Sequence, residues 1–156
     1  MQISSYCKFV AITIYYCKHM DDFKILLERH GLRVTKPRTL VFDVLLRSHN
    51  PLSNVDIFKQ IGTIDRASVY RTIESLIKIG AVKEVYIGWK KLYELTDTFS
   101  PHHHHLRCIK CGKLSHVSDA SFEKSIESIA SDRGYKLLAH HFEIDGICPD
   151  CQLAIA

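Results

Sequence analysis

A chain of 156 residues, 46% hydrophobic and 24% charged, has the composition of a folded protein and excludes a disordered or fibrous one. That length admits one medium domain or two small ones, and two small ones would each need a staple or a partner to make up a thin core. The formal charge of +4 is uneven: residues 20–99 carry thirteen Lys and Arg against ten Asp and Glu, whereas residues 100–156 carry six against seven. A mildly basic first part suits nucleic-acid contact there.

The first apolar stretch, Phe9 to Cys17, is too short for a membrane span, which needs about 20 residues. Lys8 and Lys18 bracket it and no small-residue cleavage site follows, so a cytoplasmic protein without a membrane segment is expected. Residues 1–19 read as an N-terminal extension, with Met20 the expected translation start. From Asp21, Phe23, Leu26, Leu27 and His30 recur at helical spacing, and Gly31 ends the run. Thr35 caps a second helix with Pro37 in its first turn and Leu40, Val41, Val44 and Leu45 inward. Asn50-Pro51 breaks the chain. Ser53 caps a third helix with Val55, Phe58 and Ile61 inward, and Asp65 caps a fourth that runs to Gly80. Ala81–Ile87 and Lys91–Leu95 read as strands around Gly88-Trp89-Lys90. Helices followed by a short hairpin make a winged helix-turn-helix domain over 20–95.

Residues 96–101 read as a hinge, and 102–156 as a small α/β domain. There a hairpin is expected from His105–Ile109 and Lys113–Val117, and a helix capped by Ser118 or Asp119 with Phe122, Ile126, Ile129 and Ala130 inward. Gly134 ends that helix, and a strand is expected over Tyr135–Ile144. The fold class is thus α+β.

Two features carry chemistry in this second part. Cys108-x-x-Cys111 and Cys148-x-x-Cys151 are two knuckles 36 residues apart. Four thiolates complete tetrahedral Zn2+ and leave no open position, so the site is expected to be structural and to supply folding free energy. Upstream lies His102-His103-His104-His105. Along a strand, His102 and His104 face one way and His103 and His105 the other, so one run can feed two metal sites. Neutral imidazole is the ligand form, and occupancy should fall on acidification through roughly pH 6. No H-E-x-x-H or similar catalytic signature accompanies these residues, and no enzyme activity is expected. In the fourth helix, Val69, Ile73, Leu76 and Ile77 fall on a core face. Ser68, Arg71, Thr72 and Ser75 remain opposite, with Tyr70 beside them. A guanidinium and a phenol near a helix N-terminus suit major-groove reading, and an ordinary solvated face has the same pattern.

These motifs together resemble the ferric uptake regulator family of metal-dependent repressors. The resemblance rests on Gly31-Leu-Arg-Val-Thr-Lys-Pro-Arg38, Ala67-Ser-Val-Tyr-Arg71, Tyr93-Glu-Leu-Thr96, the run His102–Lys113 and Cys148-x-x-Cys151, and covers about Asp21 to Cys151. It implies a homodimer formed through the second domain, binding a palindromic double-stranded DNA operator to repress metal-homeostasis genes. It maps the structural zinc onto Cys108, Cys111, Cys148 and Cys151. A regulatory site, taking Fe2+ or Zn2+, maps onto Glu94, His103, His105 and His116, and a second site onto His102, His104, Glu123 and His140. Tyr70 and Arg71 match its base-reading pair, Arg33 a minor-groove residue and Arg38 a phosphate contact. Where many members have a histidine just before the third helix, this chain has Pro51, with His49 two residues away. His116 and His104 stand where carboxylates are common, which tilts both sites toward Zn, Ni or Fe(II). The alternative reading is a zinc-binding metal buffer or interaction module without sequence-specific DNA binding.

Overall fold

The computed structural model describes residues 5–154. Two compact units follow one another along the chain, residues 1–101 and 102–156.

The first unit is built of four helices and a wing. α1 spans Ser5–Arg29, α2 Lys36–Arg47, α3 Asn54–Ile61 and α4 Arg66–Lys78. The helix expected to start at Asp21 therefore runs on without a break from Ser5. The segment before Met20 takes part in packing: Tyr16 donates to Asp43 of α2, and Tyr15 Oη donates to the Phe99 carbonyl at 3.4 Å. Of the expected N-terminal extension over residues 1–19, residues 1–4 lie outside the described residues.

Local sequence explains the boundaries. Ser53 and Asp56 form a reciprocal capping box at the start of α3. Thr35 occupies the cap of α2 in extended conformation, but its side chain makes no capping bond; Pro37 supplies the start signal there. Gly62 ends α3 at φ 63, a left-handed conformation costly for any residue with a Cβ. The inward face of α3 differs from the sequence reading. Ile57 and Ile61 are buried, Phe58 is half-buried and Val55 is exposed, because the helix turns its Ile57 side to the core.

β1 (Val82–Ile87) and β2 (Lys90–Leu95) pair antiparallel as the wing, with Gly88 (φ 58) and Trp89 at the turn. The core gathers Phe23 and Leu27 of α1, Val41, Phe42 and Leu45 of α2, Ile57 of α3, and Val69, Ile73 and Leu76 of α4. Phe99, from the stretch read as a hinge, is 2% exposed and belongs to this core, edge-on to Phe42 at 4.9 Å.

The second unit is a three-stranded sheet with helices. β3 (His104–Cys108) lies between antiparallel β4 (Leu114–Val117) and parallel β5 (Glu143–Gly146); α5 spans Ala120–Ser131 and α6 Pro149–Leu153. Asp119 caps α5 by accepting from the backbone of Ser121 and Phe122. The strand expected over Tyr135–Ile144 shrinks to β5, since only from Glu143 onward does β3 offer an edge to pair with. Apolar burial is sparse: α5 has no buried residue, and Ile129, Tyr135, Leu138 and Phe142 are exposed. Among the described residues, no helix is long and apolar enough to cross a membrane.

Candidate metal centres and nucleic-acid face

The parallel pairing of β5 with β3 ends at Cys108 opposite Gly146, which delivers the second knuckle to the first. The four sulfur atoms lie within 4.8 Å of one another, with Cys111 Sγ and Cys148 Sγ 3.7 Å apart. Zinc–sulfur bonds of about 2.3 Å in tetrahedral geometry require sulfurs about 3.8 Å apart, so the cluster fits a structural zinc ion. Backbone N–H groups prepare the charge. Those of Cys148 and Cys111 are aimed at Cys108 and lower its thiol to about 6; the Cys148 amide donates at 3.3 Å. Cys151 is pushed up to about 12 by hydrogen bonds from its thiol to Cys148 and Cys111. A metal must displace that proton, as any thiolate-ligated ion does.

The histidine run leads into β3, with His104 and His105 on its opposite faces and His102 and His103 just before it. His102 and His104 converge on Glu123 of α5 and on His140: His104 Nε2 is 2.7 Å and His102 Nε2 3.5 Å from Glu123 Oε1, and His140 Nε2 is 3.2 Å from Glu123 Oε2. The Nε2 atom of His140 lies 3.3 Å from that of His102 and 3.4 Å from that of His104. Tetrahedral metal–nitrogen bonds of about 2.1 Å place nitrogens about 3.4 Å apart, so these donors already stand at ligand spacing. Hydrogen bonding from His104 and the nearby His140 and His102 hold the Glu123 carboxyl below its usual range. It stays an anion, as a ligand must. Phe122 and Phe142 stand edge-on to the buried His104 ring, at 5.5 and 5.8 Å. Phe142 was placed only by the fold; Phe122 already carried the inward signal in the helix pattern.

On the opposite face, His105 pairs across the hairpin with His116, and His103 stacks on His116 at 4.3 Å. Ring nitrogens of His103, His105 and His116 lie within 4.8 Å of one another, and His105 is buried. Three neutral imidazoles are a donor set for Zn or Fe(II). Glu94, the remaining member of the expected set, lies on β2 in the first unit, where Lys83 Nζ approaches its carboxylate to 3.3 Å. His49 is exposed and belongs to none of the three clusters.

α4 carries the candidate nucleic-acid face. Asp65 accepts from the backbone N–H of Ser68 at 2.9 Å and from its hydroxyl at 2.6 Å, which keeps the aspartate ionised below its ordinary range. Tyr70 and Arg71 project to solvent, with Arg71 donating to Ser68 Oγ at 3.3 Å. Thr72 is a correction to the expected exposed face: it is 7% exposed, because at three residues beyond Val69 and one before Ile73 it rotates toward the core. Arg33 is exposed. Arg38, on α2, donates to the Arg33 carbonyl at 2.7 Å and to Ser75 Oγ at 3.4 Å.

The sequence pattern of the ferric uptake regulator family matches residues 29–145. The ferric uptake regulation protein of Shigella flexneri is 35% identical over 141 residues, covering 85% of this chain and 94% of its own. The ferric uptake regulator of Helicobacter pylori, whose structure is described as revealing three functional metal binding sites, superposes with a TM-score of 0.73 at 26% identity, over 86% of this chain and 92% of its own. That of Vibrio cholerae, described through rearrangement of its DNA-binding domains, gives 0.67 at 27% identity, over 80% and 98%.

Proposed function

We infer the function from one premise: the chain belongs to the ferric uptake regulator family. It is a metal-responsive transcriptional regulator. The observation that carries the reading is the partition of four consecutive histidines between two ion-sized donor clusters beside a four-cysteine knot. The three functional metal sites described for the Helicobacter pylori regulator support it.

In our proposal the protein is a cytoplasmic repressor of metal-homeostasis genes, with regulation rather than catalysis as its activity. The four cysteines hold structural zinc. His103, His105 and His116 hold the regulatory Fe2+ or Zn2+, and His102, His104, Glu123 and His140 hold a second ion. The first unit reads a palindromic operator, with Tyr70 and Arg71 toward the bases, Arg33 in the minor groove and Arg38 on the phosphates. The second unit pairs with a second copy. The exposed Tyr135, Leu138 and Ile129 support that pairing, because a unit with so little buried apolar surface gains stability from covering it.

For metal to regulate, it must bind the DNA-competent form more tightly, and DNA must tighten metal reciprocally; a coupling of ~1–3 kcal/mol is typical. Selection from random duplexes, followed by binding with and without a chelator too weak to strip the cysteine site, is the test. We expect affinity for the selected duplex to fall about 5- to 150-fold without the regulatory metal. Equal affinity in both conditions would remove the sensing role, and failure to recover any preferred duplex would leave a metal buffer. Arg71→Ala is expected to cost about 1–3 kcal/mol at the selected site and much less on random DNA. An equal loss on both would make Arg71 a backbone contact only.

A further inference from the structure

α4 opens on a cation. Arg66 is its first residue, is exposed, and stands immediately before the Ala67–Arg71 motif that carries Tyr70 and Arg71. The first turn of α4 holds no acidic residue. A positive charge there works against the helix dipole, so the stability of the helix gives no reason for it. Among the described residues no carboxylate forms an ion pair with Arg66; Asp65, its neighbour in the chain, accepts from the Ser68 amide and hydroxyl and interacts electrostatically with Arg71. What holds Arg66 is an aromatic face. Its guanidinium carbon lies 5.3 Å from the centre of the half-buried Phe58 ring on α3, and Phe58 is itself packed against the core of the first unit. An aromatic ring engages the charge of a guanidinium and leaves its fork of N–H donors to other acceptors.

We propose that Arg66 is a third base-reading residue, which recognises a guanine beside the base contacted by Tyr70, and that Phe58 is the positioning residue that holds it. The proposal rests on the reading of the chain as a DNA-binding regulator and extends it to a residue outside the matched motif. Helical pitch supplies the geometry. Arg66 and Tyr70 are four residues apart, so they emerge about 40° apart around α4 and about 6 Å apart along it, whereas Arg71 emerges about 100° further round than Tyr70. With base pairs stacked about 3.4 Å apart, 6 Å is about two base steps. Recognition helices present their N-terminal residues to base edges, and the arginine fork matches the O6 and N7 acceptors of guanine. A side chain already held on a fixed ring loses less rotamer freedom when it binds.

The test is selection from random duplexes with the full-length zinc-loaded protein, run in parallel with Arg66→Ala, Arg66→Lys and Phe58→Leu, with Tyr70→Ala locating the neighbouring base. One guanine per half-site, within about two steps of the base whose preference Tyr70→Ala loses, is expected to vanish from the Arg66→Ala selection while the other positions stay. Replacing that pair, or putting 7-deazaguanine there to remove N7, should weaken the unsubstituted protein about 5- to 150-fold for the pair and less for the single atom, with neither change felt by Arg66→Ala. Arg66→Lys keeps the charge and loses the fork, so the salt dependence of binding is retained and the guanine preference falls. Phe58→Leu weakens that one preference and no other, and Phe58→Tyr, which keeps the ring, restores it; a merely structural role for Phe58 would lower affinity for every duplex alike. Thermal melts identify any variant that fails to fold, and Arg66→Lys and Phe58→Tyr then carry the comparison. A uniform loss in Arg66→Ala on selected and random DNA, with the slope of log affinity against log salt smaller by about 0.9, makes Arg66 a phosphate contact and overturns the proposal. So does an unchanged selection, which would leave Arg66 as a cover for the Phe58 ring. If the unsubstituted protein selects no duplex, the reading of the chain as a sequence-specific regulator fails first and this inference with it.

Discussion

Removing zinc is expected to unfold residues 102–156. Among the described residues of that unit only Cys108 is a buried hydrophobic, alongside the buried His104 and His105. No apolar core there can offset the conformational entropy of ordering some fifty residues, which costs about 1–2 kcal/mol for each backbone position. Structural zinc in comparably small modules supplies an apparent ~10–16 kcal/mol at neutral pH, enough to decide between folded and unfolded. A strong chelator, or Cys148→Ser, should therefore abolish the secondary structure contributed by β3, β4, β5 and α5, with the four helices of the first unit retained. Circular dichroism with mass-spectrometric mapping of alkylated cysteines checks this. Cys108, Cys111, Cys148 and Cys151 should resist alkylation in loaded protein and react together after chelation, while exposed Cys17 reacts in both. Retention of the second unit's structure after complete zinc loss would show that something else holds it.

The second large effect concerns Phe99. Its ring is sealed into the first unit, edge-on to Phe42 at 4.9 Å and to Phe23 at 6.4 Å, while Phe23 and Phe42 stack face to face at 4.0 Å. Three rings in mutual contact gain both area burial and favourable quadrupole geometry. Truncating one leaves a cavity that its neighbours cannot fill. Phe99→Ala should cost about 3–5 kcal/mol, and in a domain of this size that lowers the melting temperature by more than about 10 °C. Phe99→Leu, closer in volume, should cost less than about 1.5 kcal/mol. Scanning calorimetry of both variants distinguishes core loss from a mere linker change, with cysteine alkylation followed as a check on the second unit. An unchanged first-unit transition in Phe99→Ala would mean that the segment 96–101 is only loosely seated. A substantial loss would mean that the path into the histidine run starts from an anchored point rather than a free hinge.

Much of this was legible in the residues because it depends on short-range pattern. The knuckle spacing of Cys108/Cys111 and Cys148/Cys151, the Asp65 cap and the wing turn at Gly88-Trp89 each express a local rule. So does the alternation of His104 and His105 at the start of β3, since a pleated strand cannot place neighbours on one face. Other features were not readable in this way. Thr72 sits at the edge between two helix faces, and only the packing of α4 against its neighbours turns it inward. Tyr135–Phe142 has strand-like residues but, among the described residues, no strand beside it, and backbone hydrogen bonding needs a partner edge. Phe99 lies in a polar Thr-Asp-Thr-Phe-Ser-Pro segment with no periodicity to signal burial.

By itself, the order of residues determined which donors exist and on which side of a strand or helix each would emerge. It determined four thiols at knuckle spacing, two alternating pairs of imidazoles and a guanidinium beside a phenol at a helix start. Only the tertiary structure decided which distant groups would meet them. His140 and Glu123 reach His102 and His104, His116 reaches His103 and His105, and Ser75 reaches Arg38. The reason is one of range. Pleat and helical pitch are set within a few residues by backbone sterics, whereas separations of 36 or 37 positions close only when burial, strand pairing and ion binding together outweigh the entropy of bringing them near.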